Sequence, residues 1–132
     1  MRLLLLALIS ISVFVKSNAQ VHISTDTLHL EQTGKTSVKL LSSDSLCSTF
    51  VIEIPIEVKK HYHAYHSENI MVLEGTGKMI LGDKTIFIKA GDIVFVPKGT
   101  IHAVISTGNV PLKVISVQSP YFDGKDRIFI EN

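Results

Sequence analysis

The sequence contains one cysteine, no tryptophan and no excess of charge of either sign: 13 Lys and Arg stand against 12 Asp and Glu, and charged residues make up 19% of the chain. Cys47 alone cannot close an intramolecular disulfide, and it rules out any site built on paired cysteine ligands. A formal net charge of +1 leaves no basic footprint of the kind that grips phosphates, which argues against a nucleic-acid partner. Long apolar runs are scarce as well. Leu3 to Val15 is 13 residues interrupted only by Ser10 and Ser12, short of the roughly 17–25 needed to cross a bilayer. The 132 residues suit one core and leave no room for a second. Any ligand must therefore be held by histidine, carboxylate and backbone groups.

That apolar run has another reading. Met1-Arg2 precedes it and Ser17-Asn18-Ala19 follows it, the three-part layout of a cleavable secretory signal peptide. Lys16, between the run and the cut, is the one irregular feature. Residues 1–19 are accordingly expected to be removed, sending the protein to the periplasm or the extracellular space with no stable membrane anchor. Residues 20–36 read as an N-terminal extension and 37–132 as the folded domain. Taking 19 from 132 leaves 113 residues, and losing Arg2 and Lys16 leaves 11 basic against 12 acidic side chains. One core of that size needs no staples, so Cys47 is expected as a small buried hydrophobe beside Phe50 and Val51.

What the mature chain does contain is short β-rich runs. From Phe50 to Val58 apolar residues recur at every second position, with Glu53 and Glu57 between them, the period of a half-buried strand. Pro55 within it marks an edge or a bulge. Further runs fall at 69–73, 78–81, 85–88, 93–96, 101–106 and 112–117, separated by Gly75-Thr76-Gly77, Gly82-Asp83, Ala90-Gly91-Asp92, Lys98-Gly99 and Thr107-Gly108-Asn109. Strands at this spacing with glycine-rich turns predict an all-β, antiparallel sandwich or barrel.

Four of the six histidines lie between His61 and His102. Side chains two apart on a strand share a face, so His61 and His63 point the same way. Glu68 follows after enough chain to turn back toward them, and His102 arrives on a later strand. Three imidazoles and a carboxylate suit Mn, Fe, Co, Ni, Cu or Zn better than Mg or Ca. Four protein ligands leave an octahedral ion two positions for water, substrate or dioxygen.

At these residues the chain resembles the cupin superfamily. His61-Tyr62-His63, Glu68 and Gly75 fit H-x-H-x4-E-x6-G, and Gly91, Pro97, Gly99 and His102 fit G-x5-P-x-G-x2-H, with 15 residues between the two blocks. Ser106 stands where the family often has Asn. The resemblance implies a small antiparallel jelly-roll β-barrel with one divalent transition metal per chain in its mouth. His61, His63, Glu68 and His102 would be the ligands. It also implies a metal-dependent enzyme, oxygenase-like or related, acting on a small organic acid, phenol or sugar. The alternative is a binding module that holds a small molecule through the metal without turnover. Family members are frequently homodimers, and Ile128-Phe129-Ile130 could form an edge strand on a partner subunit.

Other residues have quieter expectations. His22 and His29 read as hydrogen-bonded core residues. His66 reads as a loop residue that supports the ligands or serves as a base, and less well as a substitute ligand. Tyr62 and Tyr65 should face away from the metal and pack. Lys59-Lys60 should form a solvated loop whose charge keeps nearby imidazoles neutral. Ile86, Ile88, Phe95, Ile101 and Val104 are the candidates for an apolar lining.

Overall fold

A computed structural model describes residues 21–31 and 33–131. The signal peptide expected over 1–19 lies outside these residues. Among them there is no α-helix, only a single 3-10 turn at Thr25–Thr27 and ten strands. The strands are β1 (Ser37–Ser43), β2 (Ser48–Ile54), β3 (Glu57–Tyr62), β4 (Ser67–Glu74), β5 (Thr76–Leu81), β6 (Lys84–Lys89), β7 (Ile93–Val96), β8 (His102–Ser106), β9 (Leu112–Ser119) and β10 (Ile128–Phe129). They form two five-stranded antiparallel sheets, ordered β1-β2-β9-β4-β7 and β10-β3-β8-β5-β6. This is the all-β jelly roll. Its core lies between the sheets, where Ile52, Ile54, Val72, Met79, Val96, Leu112 and Val114 are buried together.

Phe50–Val58 is two strands. Pro55 has no N–H to donate to a ladder, and at Pro55-Ile56 the chain leaves the first sheet and enters the second. The alternation breaks with it. Val51, Ile52, Glu53 and Ile54 are all buried, whereas Ile56 is 65% exposed. Strand β1 has no counterpart in the sequence-based strands. It is an edge strand whose Val38 and Leu40 are exposed, and a register shift between Leu40 and Ser42 breaks its period.

Several expectations for single residues change. His22 and His29 are exposed, outside the core, because the segment carrying them pairs with no strand. Cys47 is half-buried in the β1–β2 turn, where its N–H donates to Asp44 Oδ1 at 3.0 Å. Tyr65 is exposed rather than packed. Ile128-Phe129 does form an edge strand, but on its own chain, pairing with Tyr62 and His61 of β3.

Gly75 shows why the turn between β4 and β5 admits no side chain. Its φ is +81°, and an added Cβ would stand 2.7 Å from the Pro111 carbonyl oxygen and 3.0 Å from Leu112 Cα. Both obstacles are backbone. The turn can therefore press against the start of β9, beside a register shift between Val72 and Glu74 in the β4–β9 ladder.

Candidate metal centre

His61 and His102 are brought together by strand register. They are direct partners across β3 and β8, with ring centroids 4.1 Å apart. A register shift between Val58 and His61 adds a bulge at Lys59-Lys60, a device that re-aims a strand beside a site. The two lysines are thus exposed residues of β3 and not a loop. His63 follows β3 by one residue and keeps the face of His61. Its ring lies 5.2 Å from that of His61 and 5.3 Å from that of His102. Donor atoms of these three histidines lie within 4.8 Å of one another, and all three are buried.

Each ring is oriented by a carbonyl. His61 Nδ1 donates to Lys59 O at 2.8 Å and His102 Nδ1 to Thr100 O at 2.9 Å. His63 Nδ1 donates to Asp126 O. A carbonyl only accepts, so each Nδ1 carries a proton and, in the neutral ring, each Nε2 presents a lone pair, the tautomer in which imidazole ligates a metal. The Nε2 atoms of His63 and His102 are buried with no hydrogen-bond partner. Unpaired polar atoms in a protein interior are rare, and a cation between the rings would satisfy both. The donor set therefore fits a transition metal.

Glu68 comes from the other sheet, on β4. Its Oε2 is 3.3 Å from His102 Nε2 and 3.7 Å from His63 Nε2, while Ser116 donates its hydroxyl to Oε1. The carboxylate lies on the His63–His102 side and is not part of the close three-histidine set.

Electrostatics divide the rings. Burial, reinforced by the neighbouring His102 ring, pulls His61 from 6.5 to about 4, so it is neutral at physiological pH. Burial also opposes the charged form of His63, but Glu68 and the Asp126 carbonyl outweigh it and raise its pKa. Burial works against ionised Glu68, yet His102, His63 and Ser116 hold its pKa well below the usual carboxylate range. The cluster thus pairs one persistent anion with at least one neutral imidazole.

The second histidine-bearing loop is fastened from the far end of the chain. Asp126 accepts hydrogen bonds from the backbone N–H groups of Ala64, Tyr65 and His66 at 2.9, 2.8 and 3.2 Å. It also accepts one from His66 Nδ1 at 2.5 Å. His66 Nε2 lies 2.9 Å from Tyr121 O. Both ring nitrogens of His66 are committed away from the cluster, so His66 braces the loop. Phe122 packs edge-on against His63 and His66. Pro97-Lys98-Gly99 forms the corner before β8: Thr100 N–H donates to Pro97 O at 3.1 Å, and Gly99 N–H donates to His63 O at 2.7 Å. With φ of +78° at Gly99, this turn requires glycine at its third position.

A cavity of about 60 Å³ opens beside the cluster, lined by His61, Glu68, His102 and Arg127 among apolar side chains. Ile88 and Val104 line it as expected. Ile101 and Phe95 do not: both are exposed on the outside of the barrel. Ile86 packs at the edge of the core.

Asp126, Ser116, Gln118 and Arg127 had no place in the sequence-based site. Ser116 and Gln118 left a usable signal. Along β9 the inward positions run Leu112, Val114, Ser116, Gln118, all buried. An apolar face that turns polar at one end marks where it meets polar chemistry. Asp126 left no local signal, because its partners are some sixty positions away in sequence.

Comparison with known proteins agrees with this geometry. The family model described as a cupin domain matches residues 50–118. A protein of Aquifex aeolicus (strain VF5), described only as uncharacterized, is 34% identical over 84 residues, covering 64% of this chain and 69% of that one. Mannose-1-phosphate guanylyltransferase 2 of Escherichia coli O157:H7 is 36% identical over 73 residues, 55% of this chain but 15% of the enzyme. A Klebsiella pneumoniae conserved protein with a double-stranded β-helix domain superposes with a TM-score of 0.73 at 21% identity, covering 86% of this chain and all of that one. The matched segment holds both histidine motifs and all but an edge strand of each sheet, and the chain belongs to the cupin family.

Proposed function

We propose that this cupin binds one divalent transition metal through His61, His63, His102 and Glu68 and uses it on a small organic acid, phenol or sugar, in oxygenase-like or related chemistry. The observation that carries the reading is the pair of buried, unpartnered Nε2 atoms on His63 and His102, with every Nδ1 tied to a carbonyl. Mn, Fe, Co, Ni, Cu and Zn all accept this donor set. When bound, such an ion supplies Lewis acidity toward an oxygen of the substrate. The chain itself fixes the imidazoles through Lys59, Thr100 and Asp126 carbonyls, keeps Glu68 ionised, and excludes bulk water with the apolar barrel wall.

A second reading, a binding module without turnover, is favoured by one observation. His66, the candidate base, is hydrogen-bonded at both nitrogens within its own loop, which leaves proton transfer to groups of the cluster. To separate the two, protein reconstituted with each of the six metals is screened against small acids, catechols and sugars. Turnover with one metal supports the enzyme; tight binding with no product from any of them supports the module.

The N-terminal pattern supports export, to be tested by N-terminal sequencing of protein from its own source. Met71, Ile93 and Phe95 are exposed apolar residues on adjacent strands β4 and β7, which supports a homodimer. Light scattering giving the single-chain mass at micromolar concentration would remove that part.

A further inference from the structure

Arg127 lines the cavity with His61, Glu68 and His102, and its Nε is buried with no hydrogen-bond partner. Among the described residues it enters no ion pair. The nearby acids have other partners: Asp126 the 64–66 backbone and His66, Glu68 the Ser116 hydroxyl, and Asp123, which shares an outer groove with Arg127, the Lys125 ammonium at 3.6 Å. Nor is Arg127 on a loose tail. Asp126 anchors it on one side, and Ile128 pairs with Tyr62 on the other. A guanidinium so placed sets positive charge on the wall that His61 and His102 also line. An unpaired buried donor on a cation is costly, and an incoming anion would remove that cost.

We propose that Arg127 is the substrate-recognition residue of the site and that it takes the carboxylate of a small organic acid, holding it beside the three-histidine cluster. This rests on the metal-centre reading above and narrows its substrate class from acid, phenol or sugar to acid. The planar fork of guanidinium matches a carboxylate through two parallel hydrogen bonds. The rest of the lining, apolar but for Thr36, and the small volume suit a compact acid better than a sugar, which would need several hydrogen-bonding partners.

The test is calorimetric and independent of turnover. Acetate, glycolate and malonate, with their uncharged amides as controls, are titrated into metal-loaded and metal-free full chain. Wild type, Arg127→Gln and Arg127→Lys are compared, with metal content and thermal melts recorded for each. Wild type should bind at least one acid tenfold or more tightly than its amide. Arg127→Gln should lose that tenfold while keeping its metal, and Arg127→Lys should fall between. Equal affinity for acids and amides in wild type overturns the proposal without any variant. So does undiminished acid binding in a folded Arg127→Gln, or inorganic phosphate outcompeting every acid. If no form takes up metal, the metal-centre reading fails. Arg127 is then judged on the metal-free titrations, where the same loss on Arg127→Gln is required.

Discussion

His61 and His102 are held differently from His63. The first two sit opposite each other on paired strands, and each ring is steered by the carbonyl two residues before it. His63 lies just beyond its strand and is steered by Asp126, from the irregular segment that follows β9. The strand-borne pair is fixed by local geometry that the barrel supplies anyway. The loop-borne ring depends on one distant residue that gathers three backbone amides, His66 and His63 together. The site therefore has a stiff half and a latched half, and the two should fail differently.

Removing a ring from the stiff half should have the largest effect. Structural zinc sites with four protein ligands bind with roughly 10–16 kcal/mol; at the proposed metal site, losing one imidazole should weaken metal affinity by about 100- to 1,000-fold, more than losing a group that only orients a ligand. His102→Ala, measured by chelator competition, checks this, and a melt of the metal-free variant should show the barrel intact.

The next effect is acid sensitivity. Metal-free His61 has its pKa depressed from 6.5 to about 4, so the unfolded chain takes up this proton more readily than the folded one. Its contribution to stability is complete above pH 6.5 and is lost as pH falls toward 4, on the order of 3 kcal/mol by linkage. His63, with a raised pKa, acts with the opposite sign. Urea titrations at pH 7 and 4.5 on wild type and His61→Gln should show a smaller difference in the variant.

Breaking the latch should come third. Asp126→Ala leaves three loop amides and His66 without their acceptor, at about 1–3 kcal/mol for each group left dry. Metal affinity should fall about 10- to 100-fold, the usual consequence of losing the group that orients a ligand. Hydrogen exchange should quicken at 64–66 and stay slow in β3 and β8. Equal loosening of both halves would erase the distinction drawn here. The smallest effect belongs to His29→Ala. His29 is exposed and outside every strand, so metal affinity and melting temperature should both be unchanged.

The same division decides how much was legible in the sequence. The stiff half was readable, since the strand runs and the turn residues Pro97 and Gly99 place His61 and His102 with no knowledge of distant contacts; period two also put His63 on the face of His61, but not what holds its ring. Glu68 was read from its spacing after His63 and from the family motif, not from a strand, since the sequence-based run began at 69 while β4 starts at Ser67. The latch was not. Asp126 looks like any surface acid until the chain returns, and Arg127 looks like any solvated cation. Phe50–Val58 read as one strand because its apolar period continues across Pro55, while the missing N–H that splits it acts only at the level of the sheets. His22 and His29 read as core residues because nothing in the sequence reveals that their segment pairs with no strand.

The central claim is that the three imidazoles form one metal-binding unit. Its most direct test is metal content after reconstitution and gel filtration at pH 7, for wild type and for the His61→Ala, His63→Ala and His102→Ala chain. The account predicts close to one ion per wild-type chain and essentially none in the triple variant. A folded wild type that retains no ion, or a triple variant that retains as much, would contradict it.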